Sequence, residues 1–248
     1  MQAEQRTALV TGGSGGLGEA IARALHDAGH TVLVIHSPGN SSIGAWLETQ
    51  AGEGYTFAAY GADVADHGSC LELADRIQAD GHRVDILVNN AGITRDATFR
   101  KLSYTDWDAV LRVNLDSVFN VTRPFIDGML ERGWGRIINI SSINGSKGQF
   151  GQTNYSAAKA GMHGFTKALA QEVARKGVTV NTVSPGYLDT KMVTSMAEDV
   201  VKQVVAGIPV GRLGRPEEVA ALVAFIASES AGFMTGSNVS INGGQHMY

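Results

Sequence analysis

The fold class expected from the sequence is α/β, a single doubly wound domain over residues 1–248 with a parallel sheet of about seven strands. Three observations predict it. Short apolar runs of strand length alternate with stretches whose apolar residues recur every three or four positions, the pattern of buried strands and packed helices in turn. The 31 glycines cluster at the ends of the apolar runs, where tight turns and close backbone approaches need them. No Pro/Ser-rich linker divides the 248 residues, a length at which such folds stay undivided.

The first unit reads strand, glycine turn, helix. Thr7–Thr11 (TALVT) is a short apolar run, and Leu17–Ala28 has the periodicity of a packed helix. Between them lies GGSGGLG, which contains G-x-G-x-x-G at Gly13, Gly15 and Gly18, a pattern expected to meet a dinucleotide. Its glycines let the backbone approach a pyrophosphate, and the helix start supplies free N–H groups. A second strand, His30–His36, delivers the residue that meets the adenosine ribose. The sequence there is His36-Ser37-Pro38-Gly39-Asn40-Ser41-Ser42, with no carboxylate to repel a 2′-phosphate, which favours NADP(H). NAD(H) stays open because no arginine stands there to clasp that phosphate; Ser37, Ser41, Ser42 or a protonated His36 could replace one.

A helix follows near Ser42–Gln50, then a strand Tyr55–Tyr60 and the segment Ala62-Asp63-Val64, where Asp63 could cap the next helix. Val84–Val88 is a fourth strand closed by Asn89-Asn90-Ala91-Gly92, small residues plus an amide that suit backbone passing a cofactor. A long helix opens at Ser103 or Thr105 and runs through DWDAVLRVNLDSVFNVTRPFIDGML, with Asn114 as a polar residue inside its apolar stripe. The run Arg136–Ile140 is a further strand, so Ser142 emerges at its carboxyl end, where open α/β sheets bind ligands.

Thr153–Arg175 is expected to be helical, which places Tyr155 and Lys159 one turn apart on one face. A protonated lysine beside a phenol favours the phenolate and lowers the tyrosine pKa from about 10 toward neutrality, making the pair an acid/base device. Val178–Ser184 is a β-branched strand leading into Pro185-Gly186-Tyr187. The segment at about 186–210, with Met192 and Met196, has the mixed polarity of a mobile lid, and helix packing explains the two methionines equally well. Arg215-Pro216-Glu217-Glu218 starts a helix with proline in its first turn, and Asn238–Ile241 is the last strand.

The bulk of the chain excludes several function classes. Twenty basic against twenty-four acidic residues give −4 with no basic block, so no nucleic-acid partner is expected. The one cysteine, Cys70, cannot form an internal disulfide and fits a reducing compartment. MQAEQRTALV lacks the pattern of a signal peptide, and the longest apolar run, near Val219–Ala227, is too short to span a membrane. A cytoplasmic location with no membrane partner is therefore expected. The seven histidines are scattered without metal-ligand spacing, so no catalytic metal is expected.

Ser142, Tyr155 and Lys159 at this spacing, with TGGSGGLG at 11–18, NNAG at 89–92 and Asn114 between, resemble the short-chain dehydrogenase/reductase family over essentially the whole chain. NAGITRD (90–96), DWDAV (106–110), RGWGRI (132–137), KGQFGQTNYS (147–156) and VNTVSPGY (180–187) resemble most the branch that reduces acetoacetyl-CoA for polyhydroxyalkanoate synthesis. The family's glycine spacing matches Thr11, Gly12, Gly16 and Gly18, so the resemblance implies Gly12, Ser14, Gly16, Leu17 and Gly18 as the residues that meet the dinucleotide, in place of the Gly13, Gly15 and Gly18 set. The resemblance implies catalytic roles for Asn114, Ser142, Tyr155 and Lys159, with Asn114 holding a water that links the lysine to bulk protons. It implies cofactor contacts from Asp63, Val64, Asn90, Ala91, Gly92, Tyr155, Lys159, Pro185 and Gly186, Asp63 and Val64 meeting the adenine. It implies acyl-CoA contacts from Asp96, Ser142, Gln149, Phe150, Gln152, Tyr155, Gly186 and Tyr187, the glutamines bonding amides of the substrate. It also implies a homotetramer with the helices around Asp106–Met129 and Thr153–Arg175 at one interface, and the reaction acetoacetyl-CoA to (3R)-3-hydroxybutyryl-CoA. A 3-oxoacyl-carrier-protein reductase is the alternative, with Arg132, Arg136, Arg175 or Lys176 as a basic rim for the acidic carrier. A non-catalytic nucleotide sensor on the same fold is the other.

Overall fold

The structure, a computed structural model, describes residues 5–190, 193 and 197–247. Seven strands form one sheet: Thr7–Thr11 (β1), Thr31–His36 (β2), Phe57–Gly61 (β3), Val84–Asn89 (β4), Gly135–Ile140 (β5), Val178–Pro185 (β6) and Asn238–Ile241 (β7). Their order is β3-β2-β1-β4-β5-β6-β7, and every neighbouring pair is parallel. The helices are Gly16–Asp27 (α1), Ile43–Gly52 (α2), His67–Ala79 (α3), Tyr104–Leu111 (α4), Ser117–Arg132 (α5), Ile143–Lys147 (α6), Thr153–Val173 (α7), Glu198–Ala206 (α8) and Pro216–Ala227 (α9). No helix among the described residues is long and apolar enough to cross a membrane.

Continuous apolar strands bury both sheet faces, because successive side chains point to opposite sides. Ala8 and Val10 join Val34, Val88 and Ile138 under α1 and α9, where Ile21, Leu25, Val219 and Val223 cover them. Leu9 between them joins Leu33, Leu87, Ile137 and Val180 under Leu73, Val121, Met129 and Ala170 of α3, α5 and α7. Each fully buried Leu, Ile or Val contributes about 1.5–3 kcal/mol, so the two layers supply most of the driving force for folding.

The strand order reverses between β1 and β4, so the connections leaving their carboxyl ends diverge and open a crevice. A buried polar chain fixes α7 beside that crevice. Asn89 and Asn139 face each other across β4 and β5, and Asn89 Nδ2 donates to Asn139 Oδ1 at 2.8 Å. Asn139 Nδ2 donates to Thr166 Oγ1 of α7 at 2.9 Å, and Thr166 lies 2.8 Å from the Thr182 hydroxyl of β6. Each of these bonds satisfies groups that are costly to bury alone, so the register of α7 on the sheet is specified.

Several expectations shift. The long helix from residue 103 is broken by a π-helical turn, Arg112–Asp116, between α4 and α5. Ser103 is its cap, accepting from Asp106 N at 3.0 Å. The third strand starts at Phe57 because Tyr55 N closes the end of α2 on the Gln50 carbonyl at 2.9 Å. Asp66, not Asp63, caps α3, accepting from Ser69 N at 2.7 Å. The short helix α6 was not foreseen. Pro216 stands in the first turn of α9, as expected. Met192 and Met196 lie outside the described residues.

Candidate active site

The glycine turn between β1 and α1 is closed by contacts that tolerate no side chain. Gly12 (φ +64°) and Gly16 (φ +41°) adopt the left-handed region, and a Cβ on Gly18 would strike the Gly12 carbonyl and come within 2.7 Å of Asn90 Nδ2. At Gly15, the cap of α1, an added Cβ meets nothing within 4 Å, and no side chain caps the first N–H groups of the helix. A backbone this tight on one side, open on the other and ending in free helix N–H groups fits a pyrophosphate. Thr11 Oγ1 staples the turn to the end of β4, accepting from Asn90 N at 2.9 Å and Ala91 N at 2.8 Å, while Asn90 Nδ2 donates to the Thr11 carbonyl at 2.9 Å. Gly18→Ala is expected to weaken nucleotide binding at least about tenfold, or about 1.4 kcal/mol. Nucleotide titration measures this, and unchanged affinity would refute the role of the close approach.

Around the adenosine end, Ser37 is exposed and its carbonyl lies 2.8 Å from His36 Nδ1. Because a carbonyl only accepts, Nδ1 carries the proton there and Nε2 is the atom that would take a second one. Asn40 Nδ2 reaches Ser14 Oγ at 3.4 Å and holds the loop against the glycine turn. Asp63 is exposed, with Oδ1 accepting from Ala65 N at 3.0 Å; Val64 is buried, and its carbonyl accepts from Asn120 at 3.1 Å.

A cleft of about 300 Å³ opens at the carboxyl ends of β4, β5 and β6. It is lined by Asn90, Gly92, Asp96, Ser142, Gln152, Tyr155, Lys159, Pro185, Gly186 and Tyr187, with Leu17 of the glycine turn at its edge. Gly186 keeps its wall thin: a Cβ there would come within 2.9 Å of Asn242 Cα. Ser142 caps α6, accepting from Asn144 N at 3.1 Å, so its own proton stays free to donate. Asn154, which the sequence reading did not single out, anchors the start of α7: it is fully buried and its Nδ2 donates to the Arg95 carbonyl at 3.0 Å.

Asn114 sits on the π-helical turn, a distortion that re-aims one side chain. Its Nδ2 donates to the Ile93 and Val110 carbonyls at 2.9 Å each, while Oδ1 is buried without a protein partner. Gly92 lies between this oxygen and the lysine: a Cβ there would stand 2.6 Å from Asn114 Oδ1 and 3.5 Å from Lys159 Nζ. An orphaned acceptor beside an ammonium fits a bound water between them.

The acid/base pair differs from expectation in its proton states. Burial pushes the Tyr155 phenol up to about 12; a hydrogen bond with Ser142 pulls it down, and Asp96 and Tyr187 raise it further. Burial pushes the Lys159 ammonium down to about 7. The expected lowering of the phenol by lysine is therefore corrected. Lys159 Nζ donates to the Ile140 carbonyl at 2.8 Å and lies 5.6 Å from the centre of the Tyr155 ring; burial is the largest cause at the phenol and the cause at the ammonium. At neutral pH the phenol keeps its proton, as a donor must, and the lysine exchanges one at little cost.

Two further residues are placed differently. Gln149 Oε1 accepts from Lys147 Nζ at 2.9 Å and Phe150 is 86% exposed, and neither lines the cleft. Gly148 (φ +73°) and Gly151 (φ +80°) bracket that pair of residues with positive φ. Gln152 does line the cleft, but its amide is engaged at both ends: Nε2 donates to Asp96 at 2.7 Å and Oε1 accepts from Asn144 at 2.9 Å.

The family model described as short chain dehydrogenase matches residues 6–201. The chain is 56% identical to an acetoacetyl-CoA reductase of Cupriavidus necator, covering 98% of this chain and 99% of that protein. It is 54% identical to nodulation protein G of Azospirillum brasilense, covering 97% and 98%. A solved structure from Agrobacterium tumefaciens, provisionally named a gluconate dehydrogenase, superposes with a TM-score of 0.92 at 33% identity, covering 97% of this chain and 95% of that one. A model match over most of the chain, relatives above half identity across its length and a solved structure that superposes over nearly all of it agree: the chain belongs to the short chain dehydrogenase family.

Proposed function

We propose that the chain reduces acetoacetyl-CoA to (3R)-3-hydroxybutyryl-CoA, using NADPH, in polyhydroxybutyrate synthesis. The observation that carries the reading is the meeting of Ser142, Tyr155 and Lys159 in one cleft next to the glycine turn, in a chain whose relatives include several acetoacetyl-CoA reductases. Family membership implies a nicotinamide cofactor, and that group, when bound, supplies the hydride for the 3-keto carbon.

The chain's own residues do the rest. Ser142 donates its free proton to the keto oxygen and fixes the face presented; Tyr155 transfers the phenolic proton to that oxygen as charge builds on it. Lys159, poised near neutrality, would hold the cofactor ribose and return a proton toward the phenol, and a water held at Asn114 Oδ1 would link the lysine to bulk protons. The preference for NADPH over NADH is supported by the carboxylate-free loop at His36-Ser37. Asp63 and Val64 would border the adenine, and Asn90, Ala91, Pro185 and Gly186 the nicotinamide half. Asp96, Gln152 and Tyr187 would border the acyl chain.

We read residues 1–248 as one catalytic unit, with about 186–210 as a lid over the cleft, working in the cytoplasm, where CoA esters and NADPH meet. A homotetramer is supported by the groove between α5 and α7, where Phe119 is 52% exposed beside Ile126, Phe165 and Leu169. The basic rim invoked for a carrier protein finds no support at the cleft. Arg132 pairs with Asp85 at 3.1 Å and Arg136 is buried against Trp134, both near the amino ends of β4 and β5, at the opposite end of the sheet.

The test follows the loss of reduced-nicotinamide absorbance with acetoacetyl-CoA, NADPH and NADH in parallel and acetoacetyl-carrier protein as the competing substrate. Turnover of the CoA ester with NADPH, preferred at least about tenfold in kcat/KM, is expected. Preference for the carrier protein would move the enzyme to fatty-acid synthesis, preference for NADH would overturn the cofactor assignment, and turnover of neither would favour a nucleotide sensor.

A further inference from the structure

His163 lies one turn beyond Lys159 on α7, half-buried beneath the cleft, and the steps above do not use it. Its Nε2 stands 2.9 Å from the hydroxyl of Ser141, the residue after β5, and 3.4 Å from the hydroxyl of Ser184 on β6. A serine hydroxyl holds a single proton, which settles the direction of these bonds. Ser141 commits its proton to the Lys159 carbonyl at 2.9 Å, an atom that only accepts, so towards His163 it must accept. Ser184 donates to Asn238 Oδ1 at 2.6 Å, so it too accepts from the ring. Nε2 therefore carries a hydrogen.

We propose that His163 is a positioning residue for the reduction: its Nε2–H holds the carboxyl ends of β5 and β6 against the turn of α7 that carries Lys159. The inference rests on the reading of Ser142, Tyr155 and Lys159 as the reducing machinery. The three elements it joins each hold a part of that machinery. Ser141 precedes Ser142, Ser184 precedes Pro185-Gly186, and Lys159 is bound at both its ends to consecutive residues, Nζ to the Ile140 carbonyl and its own carbonyl to Ser141. The bond from His163 fixes which way the Ser141 hydroxyl points, and so the height of Ser142 relative to Tyr155.

The role needs a donor and no charge. Burial, with Lys167 and Lys159 on the same helix, holds the imidazole below its ordinary pKa, and the groups that face it from β5 and β6 are the hydroxyls of Ser141 and Ser184. A neutral amide that reaches the same atom should therefore replace it.

The experiment compares His163→Leu, which fills the space without a donor, with His163→Gln, whose Nε2 reproduces the ring's. For the full-length enzyme, kcat for acetoacetyl-CoA is expected to fall about tenfold or more in the leucine variant, with nucleotide Kd within about twofold of the parent, because misplacement of the reacting groups costs rate before it costs binding. The glutamine variant is expected to recover kcat to within about threefold. A leucine variant with parental kcat, a glutamine variant as slow as the leucine one, or nucleotide affinity falling in step with kcat would each overturn the assignment. If the leucine variant does not fold, the glutamine variant decides alone: kcat within about threefold of the parent supports it, and a tenfold loss overturns it. Failure of the unmodified enzyme to reduce the thioester would instead overturn the functional reading.

Discussion

Tyr155→Phe is expected to lower kcat for acetoacetyl-CoA reduction by about a thousandfold, roughly 4 kcal/mol, and to leave nucleotide affinity within about twofold of the parent. The substitution removes one oxygen and keeps the ring, so the contact of Lys159 with the ring face and the packing of α7 survive. What is lost is the only group in the described cleft that holds a transferable proton within a hydrogen bond of Ser142. The expectation is sharpened by the proton state. Since burial raises this phenol to about 12, the parent carries its proton at neutral pH, and the phenylalanine has no proton to give in its place. Pre-steady-state hydride transfer with saturating nucleotide measures it, and a variant within tenfold of the parent would sink the assignment of Tyr155 as the acid.

The sequence and the structure agree where helix and strand periods set geometry. Tyr155 and Lys159 share a face because four residues are about one turn, and Ser142 reaches the cleft because an apolar run ends just before it. The glycine turn was legible for the same reason: no other residue fits where a Cβ would meet the Gly12 carbonyl. The remainder depended on tertiary packing. Whether Lys159 lowers the phenol or burial raises it is a contest between two opposing effects, and only the depth of the site decides the sign. The π-helical turn at Asn114 was not legible because the apolar spacing runs through it at the ordinary helical period. Gln149 and Phe150 lie between two glycines whose φ the sequence leaves open, so which side chains of that loop reach the cleft could not be read from spacing alone. His163 was one scattered histidine among seven until β5 and β6 brought two serines to its ring.

Lys159→Met is expected to cost at least about a thousandfold in kcat and also to weaken nucleotide binding, yet to make the folded chain more stable at neutral pH. The ammonium is 3% exposed, and burial lowers it from 10.5 to about 7. A base whose folded pKa is depressed opposes folding wherever it is charged in the unfolded chain. Below pH 7 both states are protonated and the full penalty applies. Between 7 and 10.5 the unfolded chain binds a proton that the folded chain does not, so stability rises with pH. Above 10.5 both forms are neutral and the penalty is gone. Methionine removes a term on the order of several kcal/mol, but it also removes the bond to the Ile140 carbonyl, a loss of about 1–3 kcal/mol for a buried acceptor left unpaired. The net gain should be about 1–3 kcal/mol at pH 7, or a few degrees in Tm for a chain of this size. It should shrink steadily as pH rises toward 10.5, leaving the methionine variant the less stable of the two there. Thermal unfolding without nucleotide at pH 6, 8 and 10 tests the sign directly. A variant less stable than the parent at pH 6, or a difference that grows with pH, would show that the lysine is held in the fold by compensating contacts and that its displacement toward neutrality, the basis of its role as proton relay, is wrong.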